Sequence, residues 1–131
     1  MNSKIDGLHQ VALTSSDLEC STGFYRDVLG LPLIASLDPP GLAFYRVGDV
    51  RLSIQKVDEV EPTSSVIYFQ VQDINAAAES LREKSIELEQ EPAVVLRDEQ
   101  GQFGEAGEEE WMAFFRDPDG HLLAFASRTK P

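Results

Sequence analysis

The sequence predicts an α+β fold of two β-α-β-β-β modules, which form a curved mixed sheet around a cavity with the helices on the outer face. Residues 8–17 and 65–73 are both alternating strands that run into an aspartate and then into a helical pattern. Three further strand-like segments follow each helix. A chain of 131 residues has the size of one domain. We therefore expect a single domain over 1–131, with repeats at about 7–57 and 65–128.

The first repeat contains a helix between its first and second strands. Asp17 is a good N-cap, and apolar residues follow it at helical spacing until Gly30 ends the pattern. Three strand-like segments come next, divided by Pro/Gly-rich and Gly-Asp turns; they are residues 31–35, 42–47 and 50–55.

The second repeat follows the same order after a linker at residues 58–64. Asp73 is the predicted cap of a helix whose apolar stripe includes Ile74, Ala78 and Leu81. The remaining strands are predicted at 86–95, with a bend or edge at Pro92, at 111–116, and at 121–127 after an Asp-Pro-Asp-Gly turn.

Composition narrows the classes of partner and compartment. With 23 acidic and 11 basic residues the net charge is −12, which argues against binding to nucleic acid or to anionic membranes. Cys20 is the sole cysteine, which excludes an internal disulfide, and no apolar run is long enough for a membrane span. We expect a cytoplasmic protein. Residues 97–110 are acidic and glycine-rich, which predicts a mobile surface loop, with Phe103 as a candidate lid residue.

Side-chain alternation assigns each predicted strand an apolar face and a more polar face. The apolar faces suit packing against two amphipathic helices. The other faces would line a mixed polar and apolar concavity typical of a ligand cavity, unless they are solvated or pack on a partner subunit. The ligand-binding residues that we predict there are Gln10, Arg51, Ser53, Gln55, Tyr68 and Trp111. Gln70 is a further polar candidate, and Phe44, Phe114 or Phe115 could form additional aromatic walls.

Arg51 is the most informative of these candidates. A guanidinium withdrawn from water needs a counter-charge, so an inward Arg51 would favour an anionic ligand. The alternative places it at the rim, extended into solvent or paired with an acidic neighbour. No nucleophilic triad can be assembled from His9 and His121, and no catalytic residue is assigned; Glu109 or Glu110 could act as a general acid or base if the acidic loop folded over the cavity.

Four segments carry a family resemblance that spans about residues 7–127. They are residues 9–13 leading to Asp17-Leu18-Glu19, residues 24–31, Asp73-Ile74, and residues 115–123. The chain resembles the vicinal oxygen chelate superfamily, which includes glyoxalases, bleomycin resistance proteins and extradiol dioxygenases. The resemblance implies a cavity and, in the enzymes, one divalent metal ion held by the first and fourth strands of each half.

The resemblance places these metal-ligand positions at Gln10, Ser53, Val66 and Ala124. Glutamine serves as a ligand in some glyoxalases, but valine and alanine have no donor atoms and serine is a weak neutral ligand. His9 lies one residue from the first position, on the opposite face of its strand. We therefore expect neither a metal nor another cofactor.

Three functions remain open. The first is a metal-free, glyoxalase- or bleomycin-resistance-like protein that binds a small anionic or aromatic organic molecule. The second is a metal-dependent lyase, isomerase or dioxygenase whose ligands lie elsewhere, and the third is a protein-interaction module without a small-molecule ligand. Because the edge strands of the two modules would otherwise be left open, we also expect a homodimer.

Overall fold

The computed structural model describes residues 4–61 and 64–130. The chain divides into two compact units, Met1–Glu61 and Pro62–Pro131. Each unit holds one four-stranded mixed sheet and one main helix, in the order β-α-β-β-β. The α+β class and the repeated order of elements are confirmed. The predicted linker at 58–64 lies partly outside the described residues.

The first unit contains four strands in the spatial order β1-β4-β3-β2. β1 runs parallel to β4, and the other neighbours are antiparallel. The elements are β1 (Gln10–Ser15), α1 (Leu18–Thr22), β2 (Leu33–Leu37), β3 (Leu42–Val47) and β4 (Val50–Lys56).

The first helix differs from the single long α-helix that the sequence predicts. Asp17 caps it as expected, since its carboxylate accepts the N–H groups of Glu19 and Cys20. After Thr22 the chain widens into a π-helical segment, Gly23–Val28. The predicted helix is thus divided into an α-helical part and a π-helical part.

The second unit repeats the topology, with the order β5-β8-β7-β6 and β5 parallel to β8. Asp73 caps its helix by accepting the Ala76 N–H, and Ile74, Ala78 and Leu81 are buried as the stripe predicts. The elements are β5 (Ile67–Gln70), α2 (Ile74–Glu83), β6 (Leu88–Asp98), β7 (Glu108–Arg116) and β8 (Leu122–Thr129).

The acidic segment at residues 97–110 is strand at both ends, where the sequence predicts a mobile loop throughout. Its two ends belong to β6 and β7, where Arg97 pairs with Glu109 and Asp98 with Glu108 in the sheet register. The Asp98 carboxylate accepts the backbone N–H groups of the turn residues Gln102, Phe103 and Gly104. The mobile-loop prediction was therefore wrong at both ends, because sheet pairing and one buried carboxylate organise the segment.

Alternation along the strands separates core from surface as predicted. In the first unit Leu13, Leu52 and Ile54 are buried, and in the second Phe69 and Leu123 are buried. Burying a side chain of this size stabilises the fold by about 1.5–3 kcal/mol relative to leaving it in water. Among the described residues, no helix is long and apolar enough to cross a membrane.

Candidate ligand-binding site

The sheet register gathers four of the six predicted site residues on one face of the first unit. Gln10 lies opposite Arg51 across β1 and β4, and Phe44 lies opposite Ser53 across β3 and β4. Because alternate residues share a face, Gln55 joins them. We call this surface the first-unit face. It holds a cavity of about 280 Å³ whose lining includes Gln10, Phe44, Ser53 and Gln55.

Arg51 is held in place at the edge of this cavity. Its Nε donates to Gln10 Oε1 at 2.6 Å, and its guanidinium lies over the Phe44 ring, 5.2 Å from the centroid. Its Nη2 is 3.5 Å from His9 Nε2. The side chain is exposed and pairs with no carboxylate in the part of the chain that the structure describes. Arg51 is thus positioned by an amide and an aromatic ring rather than by an acidic partner.

Arg46 is a residue of this face that the sequence reasoning missed. It is exposed and lies directly opposite Arg51 across β3 and β4. The signal was present in the sequence, because the turn at Gly48-Asp49 makes Val47 pair with Val50 and Arg46 with Arg51. Two cationic side chains therefore share the strand end next to the cavity.

Tyr68 lies on the corresponding face of the second unit. That face, the second-unit face, holds a cavity of about 500 Å³ whose lining includes Tyr68, Gln70, Glu110 and Arg128. The Tyr68 ring packs edge-on against Phe114, with centroids 6.1 Å apart. Of the predicted aromatic walls, Phe44 and Phe114 therefore lie on these polar faces.

Trp111 does not lie on the second-unit face. It is opposite Ser127 in the register, which puts it on the side of Phe125 and the core. Its indole Nε1 donates to Thr129 Oγ1 at 2.9 Å, and Phe115 shares the same side of β7 and is fully buried. The prediction that Trp111 lines the cavity needs a β7 register that the sequence does not give. The observed register puts Trp111 on the opposite face of the sheet.

Arg128 is neutralised by its own surroundings. Its Nη2 donates to Asp98 at 2.8 Å and to Glu108 at 3.1 Å. Burial lowers the pKa of Arg128, but the bonds to Asp98 and Glu108 outweigh this, so its pKa is raised above the ordinary value. Arg128 therefore stabilises the turn between β6 and β7 and offers no uncompensated positive charge to a ligand.

Asp98 is the buried partner in this network. Burial raises the pKa of its carboxyl group, but the N–H groups of Phe103 and Gln102 and the Arg128 guanidinium outweigh that effect, so the pKa lies below its ordinary value. The group is therefore held as a carboxylate, and its bonds are directed at the turn.

The candidates for proton transfer in the second unit, Glu109, Glu110 and His121, are engaged with neighbouring residues of that unit. Glu109 pairs with Arg97 at 2.5 Å, and Glu110 lies 3.9 Å from Arg128 Nη1 at the second cavity. His121 is buried next to the turn at 117–120, and its backbone N–H donates to Asp117. These contacts lie within the second unit, and we assign none of the three side chains a role in proton transfer.

The metal-ligand positions that the family implies carry a poor donor set. In the first unit, Gln10 Oε1 already accepts from a guanidinium, which would repel a divalent cation bound to the same oxygen. In the second unit the positions are Val66 and Ala124, which have no side-chain donors. Among the described residues no three His, Cys, Asp or Glu side chains cluster as metal ligands do. The residues present do not fit the family's metal ion.

Comparisons with known proteins agree with the repeated architecture. The uncharacterized protein YraH of Bacillus subtilis is 26% identical over 88% of this chain and 94% of its own length. A glyoxalase family protein from Bacillus anthracis superposes with a TM-score of 0.78 at 18% identity, covering 98% of this chain and 100% of that one.

A second solved structure with the same fold is the fosfomycin resistance protein FosX of Listeria monocytogenes. It has a TM-score of 0.74 at 22% identity and covers 96% of both chains. The family model of the Glyoxalase/Bleomycin resistance protein/Dioxygenase superfamily matches residues 7–125. The resemblance in the sequence is thereby confirmed, and the chain belongs to this superfamily.

Proposed function

We propose that this protein binds a small organic molecule at the first-unit face without the help of a metal ion. The observation that carries the proposal is the arrangement of Arg51, which Gln10 and Phe44 hold beside a cavity of about 280 Å³. A few fixed polar groups in a partly apolar concavity are typical of small-molecule sites. The amides of Gln10 and Gln55 would orient the ligand, and the Phe44 ring would contact its apolar part.

The metal-dependent alternative has less support from this donor set. A lyase, isomerase or dioxygenase of the family type would need oxygen or nitrogen ligands where Val66 and Ala124 stand. Among the described residues, the polar side chains that line this cavity are amides and hydroxyls, which are poor general bases, so we assign no reaction. Sequestration of the ligand is the simplest role that these residues support.

The test combines metal analysis with ligand screening. We expect protein purified without chelator to hold no stoichiometric divalent ion by plasma mass spectrometry. We also expect small carboxylates, phosphate esters or neutral aromatic compounds from a panel to raise the unfolding temperature, because a ligand that binds only the native state stabilises it. A tightly held metal ion at one per chain would overturn the proposal.

Matched variants locate the binding. Gln10→Ala removes the amide that holds Arg51 and should weaken binding of any panel compound at least tenfold by calorimetry. Gln100→Ala is the control, since Gln100 is an exposed glutamine in the turn between β6 and β7. Equal affinities of the two variants would show that binding occurs elsewhere.

We also propose that the protein forms a homodimer. β6 is an edge strand of 11 residues in its sheet, and the consecutive residues Val94, Val95 and Leu96 are 42%, 45% and 37% exposed. Natural proteins rarely leave such an apolar edge uncovered. Light scattering at micromolar concentration should give twice the mass of one chain, and Val95→Lys should give the mass of a single chain. A monomeric wild-type protein would refute the proposal.

A further inference from the structure

Two of the seven arginines differ from the rest in their surroundings. Five have carboxylate partners: Arg26, Arg82, Arg97, Arg116 and Arg128. Arg46 and Arg51 have none within the described residues, although the chain carries 23 acidic residues. These two face each other across β3 and β4.

This juxtaposition is unfavourable for the fold alone. Side chains directly opposite on antiparallel strands have Cβ atoms about 4.5–5.5 Å apart, and like charges there destabilise the pair. The second unit offers a comparison, because Arg116 occupies on β7 the position that Arg46 occupies on β3, two residues beyond Phe114 and Phe44 respectively. Arg116 is neutralised by Glu89 at 2.6 Å. In the first unit the residue opposite Arg46 is a second arginine, whereas the uncharged Leu122 lies opposite Arg116.

We propose that Arg46 and Arg51 together bind a dianionic group of the ligand, of which a phosphate monoester is the simplest example. This inference rests on the proposed function and specifies the ligand class of the same face. Arg51 is already oriented by Gln10 and Phe44, and Arg46 reaches the same strand end from β3. Guanidinium groups match the oxygen geometry of phosphoryl and carboxylate groups, and two of them balance two negative charges. The organic part of the ligand would extend past Phe44 into the cavity.

The experiment compares two ligands of almost the same shape and different charge. Phenyl phosphate is largely dianionic at pH 8, whereas phenyl sulfate is a permanent monoanion. We expect calorimetry on the full chain to give at least tenfold tighter binding of phenyl phosphate, with an affinity that falls as salt is added. Arg46→Gln and Arg51→Gln should each abolish the preference. Arg116→Gln, which removes a paired arginine in the other unit, should retain it.

The unfolding temperatures of the free and the ligand-bound protein show whether a variant has lost binding or has failed to fold. Since the two charges repel, Arg46→Gln should unfold at the same temperature as wild type or higher, and phenyl phosphate should raise that temperature no more than phenyl sulfate does. A large loss of stability in this variant would overturn the inference, because it would give Arg46 a structural role.

The remaining outcomes separate this inference from the function on which it rests. If panel compounds bind in a Gln10-dependent manner but phenyl phosphate is no better than phenyl sulfate, the dianion inference fails and the proposed function stands. If the preference persists in both arginine variants, the dianion binds elsewhere and the inference fails. If no panel compound binds, both fail.

Discussion

Tyr45→Phe tests whether the strand that carries Phe44 and Arg46 is anchored from its opposite face. Tyr45 lies between those two residues in the sequence and is fully buried. Its hydroxyl donates to Thr22 Oγ1 at 3.1 Å. Its ring also packs against Tyr25, with centroids 5.7 Å apart. The substitution keeps the ring and removes only the hydrogen bond between β3 and the end of α1.

The expected cost follows from the value of one such bond. A neutral intramolecular hydrogen bond contributes about 1 kcal/mol net, and Thr22 is only half-buried, so its hydroxyl can find water after the change. A chain of 131 residues has an unfolding entropy of about 0.28 kcal/mol/K. The unfolding temperature should therefore fall by about 3–4 °C.

Scanning calorimetry measures this shift, and Tyr68→Phe provides the matched control. Tyr68 is 51% exposed, so loss of its hydroxyl should change the free energy of unfolding by less than about 0.5 kcal/mol. A double-mutant cycle with Thr22→Val assigns the energy to this pair. Equal shifts in the two tyrosine variants, or no coupling in the cycle, would refute the reasoning.

The same residue predicts a pH effect. Burial raises the pKa of the Tyr45 hydroxyl above its ordinary value, and the bond to Thr22 offsets this only in part. The unfolded chain therefore ionises this tyrosine before the folded chain does. Stability from this group is full below about pH 10 and is lost as pH rises further. Urea midpoints between pH 9 and 11 should fall less in Tyr45→Phe than in wild type.

Three further predictions concern the second unit. Because the pKa of Asp98 is lowered, its contribution to stability is present above about pH 4 and is lost as pH falls through the lowered pKa. Asp98→Asn should therefore reduce the urea midpoint at pH 7 and flatten the decline of that midpoint toward pH 3. An unchanged midpoint at pH 7 would count against the network. Phe115→Ala should cost about 3–5 kcal/mol by urea denaturation, since the ring is fully buried against Phe125; a cost near zero would contradict this core. Trp111→Phe should leave ligand affinity within twofold by calorimetry, and a tenfold loss would return Trp111 to the site.

Local chemistry was sufficient to predict the elements and the faces of several strands. Asp17 and Asp73 cap helices because an aspartate side chain satisfies free N–H groups wherever a helix begins. Alternation also placed Gln10, Ser53 and Gln55 correctly on one face, since the period of a strand needs no knowledge of its neighbours. Arg46 was within reach of the same reasoning through the turn at Gly48-Asp49.

Other features depended on contacts between residues far apart in sequence. The ends of β6 and β7 extend into the acidic segment because Arg128 and Asp98, 30 positions apart, neutralise each other beside the turn. The register of β7 against β8 decided that Phe114 faces the polar side and Trp111 the core side. No pattern within residues 108–116 distinguishes these two assignments.

The amino-acid order alone determined the repeated β-α-β-β-β plan and the absence of donor atoms at Val66 and Ala124, because strand period, helix capping and side-chain chemistry are local properties. The tertiary structure decided which charges meet. It joins Arg128 to Asp98 and Glu108, and it sets Arg51 on Gln10 and Phe44 with Arg46 alongside. Charge pairing depends on distances of a few ångströms between strands, and only the folded chain establishes those distances.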